Sequence, residues 1–329
     1  FSYSIFVEAF NSDSTFRAVS NILDVNVSVA NKPSFNYIEY ASVNHDDGSV
    51  DLSCIVDLSA VIDRYDIFRS VSDNGFVEKV GEINFSGNSP ISYNDLAVST
   101  NDYYYHYEIY PVDTCGEFLN PPSYISPLLP GDTSFAQTIL LQAETNLDYS
   151  IYPSLEDEYT NTLFFNEYDK WLGDVSEYRL YRSVNREPFN LLPIYVWDRQ
   201  DQPNEELSYI DVVTEFGDGN GRFCYYIQAI EGPSNPYGST LDGSFSNVVC
   251  VSQVPILFVP SVFTPNGDNH NEVFKPVTYF VSEIGYSFTV YNRLGEKLFE
   301  TNDPEKGWDG SYKGNQVQDG NYVYHIQTV

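Results

Sequence analysis

The 329-residue chain contains no methionine and only four cysteines and four histidines. Basic residues are scarce: 16 Lys and Arg stand against 47 Asp and Glu, a formal net charge of −31. That balance excludes nucleic-acid binding, which needs a basic footprint on the phosphates. It also excludes docking on anionic lipid through a basic patch. The excess carboxylates suit a soluble extracellular protein, or, where clustered, the holding of calcium. No apolar run approaches ~18 residues, so no helical membrane span is expected. Without an initiator methionine or a basic-apolar leader, the chain reads as an internal or processed piece of something longer.

Catalytic signatures are missing too. His45, His106, His270 and His325 fall in no H-E-x-x-H pattern, and no G-x-S-x-G occurs. No C-x-x-C pair exists, which argues against zinc and thioredoxin-like chemistry. Gly217-Asp218-Gly219-Asn220-Gly221 precedes a strand pattern rather than a helix, so it reads as a hairpin turn and not a dinucleotide loop. This stretch is therefore expected to be non-enzymatic.

What the chain does have is aromatic residues, 28 Tyr and 22 Phe, which excludes disorder and suits half-buried strands. Phe1–Ile5, Tyr105–Ile109 and Phe223–Ile227 share one alternating pattern, the period of a strand with one face in a core. Tyr65–Ser70 is echoed by Tyr178–Ser183, and Val19–Ile22 by Phe245–Val248. A repeat of about 100 residues, made of short strands and turns, implies immunoglobulin-like or fibronectin type III-like β-sandwiches. The expected division is a sandwich remnant over 1–30, one sandwich over 31–130, another over 131–253, and a final small β-sandwich over 254–329. Pro-rich stretches at Asn120–Gly131 and Gln253–Pro255 are the candidate linkers.

The repeat constrains the cysteines. Cys224 opens one strand and Cys250 closes the next, and antiparallel pairing brings such ends together. Cys224–Cys250 is the preferred disulfide, and Cys54–Cys115 follows by elimination; both fit an oxidising compartment. Four free thiols are the competing reading. Asn26-Val27-Ser28, Asn84-Phe85-Ser86 and Asp13-Ser14-Thr15 are short glycosylation-like matches.

The C-terminal stretch carries the strongest signal. It contains Phe263-Thr264-Pro265-Asn266-Gly267-Asp268, then Tyr291-Asn292-Arg293-Leu294-Gly295-Glu296, then Gly307-Trp308-Asp309-Gly310, then Gly320 and Tyr322. Thr264–Asp268 reads as a tight turn, Gly295 as a positive-φ hairpin residue, and Trp308 as a core plug. Asn266, Asp268, Asn271 and Glu272 offer oxygens that calcium would accept, although a self-hydrogen-bonded turn explains them equally. No other cofactor or metal is expected.

The first three of these motifs, in this order within Pro255–Val329, resemble the gliding-motility-associated C-terminal domain, the type B sorting domain of type IX secretion substrates in Bacteroidetes. Asn269 stands where that family usually has glycine, Glu272 where it has aspartate, and Leu294 where tryptophan is common. The family usually continues about fifteen residues further, so the last strand is expected to be missing. The resemblance implies a secreted or cell-surface protein exported across the outer membrane, with this domain as its signal. It implies the type IX translocon and an outer-membrane PorP/SprF-type barrel protein as partners. Large gliding-motility adhesins are built this way, which suggests an adhesin with a polysaccharide or cell-surface ligand. The alternative is the stalk and sorting module of a secreted hydrolase whose catalytic domain lies upstream.

Overall fold

The computed structural model describes residues 2–26, 31–72, 77–119, 135–146, 158–169, 171–199, 201, 205–237, 243–282 and 284–328. The fold is all-β, as the alternating patterns imply. At the N-terminus β1 (Ser2–Ile5) pairs with β4 (Leu23–Asn26), and β2 (Glu8–Phe10) with β3 (Arg17–Val19). Residues here are mostly exposed, Phe16 among them.

The first sandwich is built from β5 (Asn36–Val43), β6 (Val50–Val56), β7 (Arg64–Val71), β8 (Val77–Asn84), β9 (Ile91–Asp95), β10 (Tyr105–Val112) and β11 (Phe135–Gln137). One sheet has the order β5-β6-β9 and the other β11-β10-β7-β8. In β10 the alternate residues Tyr105, Tyr107 and Ile109 face the core, as their spacing dictates. The second sandwich repeats the plan with β12 (Leu141–Thr145), β13 (Thr160–Phe165), β14 (Val175–Val184), β15 (Tyr195–Asp198), β16 (Ser208–Val212), β17 (Arg222–Glu231), β18 (Ser244–Phe245) and β19 (Val249–Ser252). Its sheets run β12-β13-β16 and β15-β14-β17, with β18 and β19 both on the outer side of β17. A three-strand sheet facing a larger one is the fibronectin type III-like arrangement.

Both sandwiches contain the same buried polar clamp between their sheets. In the first, the Arg69 guanidinium on β7 donates to Asp95 on β9 at 2.8 Å, and the Tyr107 hydroxyl on β10 donates to the same carboxylate at 2.9 Å. In the second, Arg182 on β14 donates to both oxygens of Asp211 on β16, at 2.7 and 2.9 Å, and Tyr225 on β17 donates to it at 2.7 Å. Arg and Tyr sit on one sheet and Asp on the other, so each clamp ties the sheets across the core. Burial, and then the adjacent carboxylate, pushes both tyrosine hydroxyls far above their usual range.

The two sandwiches are also stitched to each other. The Glu231 carboxylate accepts from Tyr37 Oη at 2.9 Å, Asn235 Nδ2 at 2.8 Å and the Gly173 amide at 3.1 Å. Trp171 Nε1 donates to the Glu39 carbonyl, Ser244 Oγ to the Ala41 carbonyl, and the Phe245 amide to Ser42 Oγ. His45 lies against the Ser246 carbonyl and the rings of Tyr226 and Phe245, and burial lowers its pKa.

Two expectations need correction. A boundary at 130/131 lies outside the described residues, but β11 beyond it pairs with β10, so the first sandwich extends to Gln137. A short strand whose partner is about 30 residues away leaves no local signal. The Cys54–Cys115 disulfide is absent. Cys54 is fully buried in β6 between Ile38 and Ile91, whereas Cys115 is exposed in a turn held by the Asp113 carboxylate. Cys224 and Cys250 are joined, as directly opposed residues of β17 and β19. The prediction is that alkylation of the denatured, unreduced protein labels two cysteines, and labels all four only after reduction.

The clamps carry a second prediction. Asp211→Ala leaves the Arg182 guanidinium buried without its counter-charge, so it should destabilise the second sandwich by about 3–5 kcal/mol. Tyr225→Phe, which loses one hydroxyl shared by Asp211 and Asn161, should cost only about 1–2 kcal/mol. Calorimetric unfolding of the full chain checks both.

Candidate functional site

The C-terminal domain contains β20 (Ile256–Phe258), β21 (Val277–Tyr279), β22 (Ser287–Tyr291), β23 (Lys297–Thr301), β24 (Ser311–Tyr312), β25 (Asn315–Gln316) and β26 (Val323–Gln327). Its main sheet has the order β23-β22-β26. Phe288 and Val290 of β22 point inward and join Phe274, Val281, Tyr286 and Trp308 in a small core.

Trp308 is the centre of that core, 1% exposed. Its ring lies 5.5 Å from Phe263 and 5.0 Å from Tyr322. The indole N–H donates to the Ser311 carbonyl at 2.8 Å, and the Trp308 backbone exchanges hydrogen bonds with Phe274. The flanking glycines follow from this packing. A Cβ on Gly307 would stand 2.5 Å from Val273 and 2.8 Å from the Phe274 carbonyl. Gly310 has φ +77° and its Cβ would meet Pro265 at 3.0 Å. Asp309 turns outward and caps Ser311 through both the amide and the hydroxyl, which holds its carboxyl below the usual range. The first and third motifs thus meet face to face, and Tyr322 closes over them.

The turn after Phe263 is held by its own side chains. Glu272 accepts from the amides of Gly267 and Asn269, each at 3.0 Å. Asn266 Oδ1 accepts from the Asp268 amide, and Asp268 Oδ1 from the His270 amide. The hydrogen bond from Asn266 Nδ2 leads the causes that lower the Asp268 pKa. Asn269 and Asn271 have φ +66° and +54°. Asparagine tolerates this region, which accounts for Asn269 at a position where the family usually has glycine. Among the described residues no group of three or more His, Cys, Asp or Glu side chains is placed to hold a metal ion. The oxygens of Asn266, Asp268 and Glu272 are engaged within the turn.

The second motif makes a braced hairpin tip. Asn292 Oδ1 accepts from the amides of Leu294 and Glu296 at 3.0 and 2.9 Å, and Gly295 takes φ +81°. Glu296 accepts from Asn292 Nδ2 and from the Tyr312 hydroxyl. The Leu294 side chain at the tip is 93% exposed, and Arg293 is exposed beside it. A Cβ on Gly320 would come within 3.9 Å of the Arg293 guanidinium, so the fourth motif abuts the second. The motif residues therefore fall into one contiguous set: one part builds the Trp308 core, and the other fixes two surface turns.

Of the shorter sequence matches, Asp13 Oδ1 accepts from the Thr15 amide and hydroxyl in an exposed turn. Asn84 ends β8, and Val27-Ser28 lie outside the described residues. Residues that sequence reasoning passed over are Tyr279 and Phe280. Both leave the signal core and pack into the second sandwich.

Residues 257–329 match the family described as the CHU_C Type IX secretion signal domain. This signal marks the protein for export to the cell surface or the extracellular space. Among the described residues no helix is long and apolar enough to cross a membrane. Among solved structures, the crystal structure of a tetra-tandem repeat in the extending region of a large adhesion protein aligns with 99% of this chain and 77% of that one, at 13% identity and a TM-score of 0.28. A search of curated proteins found no match.

The core geometry makes a prediction. Trp308→Ala should destabilise the C-terminal domain by about 3–5 kcal/mol. Asn292→Ala, which frees two exposed amides at the tip and leaves the core intact, should cost about 1 kcal/mol. Thermal unfolding of the full chain separates the two.

Proposed function

We propose that this chain is the stalk and export signal of a cell-surface adhesin. The signal works by recognition: a folded domain is read at its surface by the type IX translocon and an outer-membrane barrel partner of the PorP/SprF type. The observation that carries this reading is the match of residues 257–329 to the secretion-signal family, within which the first and third motifs and Tyr322 meet at Trp308. Two surfaces suit recognition. One is the braced tip with Arg293 and Leu294. The other is β26, at the edge of its sheet among the described residues, whose exposed Val323 and Tyr324 suit docking by an added strand.

The sandwiches supply a stiff, soluble spacer. Pro255–Val329 carries 5 basic and 9 acidic residues, so the rest of the chain accounts for −27 of the net −31. That charge keeps the stalk apart from its neighbours, and the hydrogen bonds between the sandwiches limit bending. A polysaccharide or neighbouring-cell ligand, and a role in gliding, complete the adhesin reading.

The test is export from producing cells. Removing 282–329, or introducing Trp308→Ala, should leave the protein in the periplasm. Recovery on the surface or in the medium at the unaltered level would contradict the export assignment.

A further inference from the structure

At the boundary between the second sandwich and the signal domain, neighbouring residues enter two separate cores. Phe280 is 2% exposed and belongs to the hydrophobic cluster of the second sandwich; Val281, the next residue, is 4% exposed and belongs to the cluster of the signal domain. Consecutive residues enter different cores because Phe280 adopts φ +56°, a left-handed conformation that is uncommon for a bulky side chain.

The receiving socket is the glycine-rich turn that the sequence marks at Gly217–Gly221. The Phe280 amide donates to the Gly217 carbonyl at 2.6 Å. The Phe280 ring meets Tyr159 edge-on at 5.1 Å and Phe223 at 6.2 Å, while Tyr279 stacks on Tyr159 at 5.6 Å. The glycines leave the room. A Cβ on Gly217 would stand 2.4 Å from the Tyr279 ring, and one on Gly221 2.8 Å from the Phe280 Cβ. The chain entering the signal domain is fixed as well. Gln253 is held by Gly221, Thr160 and Asn161, and Ile256 of β20 is buried in the second sandwich while Val259 packs in the signal core.

We propose that the second sandwich is part of the export signal. The unit received at the outer membrane is 141–328, and the Phe280 hook in the glycine socket sets both the fold and the orientation of the signal domain. The ladder of β20 and β21 packs on the second sandwich through Ile256, Phe258 and Tyr279, and both strands run on into the signal core at Val259 and Val281, so a lost hook loosens the signal domain where the chain enters it. A receptor that reads a folded surface then meets an altered one, although every motif residue is intact. This rests on the reading of 257–329 as a recognised folded signal.

The test uses the full chain. Purified protein should unfold with the second sandwich and signal domain in one calorimetric transition. Phe280→Ala should split that transition in two, and in cells should lower export several-fold. Gly221→Ala reaches the same contact from the sandwich side and should do both, which covers the case in which Phe280→Ala yields no folded chain. A split transition with unchanged export overturns the proposal, and so does a single transition in both variants. Trp308→Ala is the control: normal export of that variant would remove the underlying reading, not the hook alone.

Discussion

The left-handed turn at Phe280 is the constraint on which the C-terminal half depends. It sends one large apolar side chain into the second sandwich and the next into the signal core. The signal domain buries few large residues of its own, and small domains are marginal without help. Anchoring Phe280 and Tyr279 in the core of a larger neighbour offsets that limit. It also fixes geometry: inter-domain joints move by default unless the contact is well packed and apolar, and this one is both.

The same economy recurs upstream. Each sandwich is closed by an Arg–Asp–Tyr clamp at equivalent strands, and buried charge of this kind is tolerated only when hydrogen-bonded and paired. Arg69 and Arg182 are 113 positions apart, which matches the offset of the Tyr65 and Tyr178 echoes. The repeat is thus structural as well as sequential. Between the sandwiches, Glu231 gathers donors from Tyr37, Asn235 and Gly173, while Tyr37 and Ile55 also pack into the hydrophobic cluster of the second sandwich, so this joint is both polar and apolar.

Much of the fold was legible because strand burial has period two. The alternation in Tyr105–Ile109 and Phe223–Ile227 maps directly onto the inward faces of β10 and β17. The C-terminal motifs were legible because three of them stand in the order of a known family, and Trp308 between two glycines reads as a core plug. What was hidden depends on distant partners. β11 is three residues long and pairs across a long connection. Asp95 and Asp211 look like surface carboxylates until the fold places an arginine beside each. Cys54 lies in β6 with its side chain in the core, whereas Cys115 lies beyond the end of β10 in an exposed turn. Gly217–Gly221 reads as a turn, and nothing local shows that an aromatic ring about sixty residues on will fill it.

Sufficiency is the most direct test of the central claim, that this C-terminal unit is an export signal. Residues 141–329 would be fused to a passenger that otherwise stays in the periplasm of a producing cell, and the passenger followed by cell fractionation. The account predicts its appearance on the surface or in the medium. Retention of a folded fusion in the periplasm, in cells that export their own substrates normally, would contradict it.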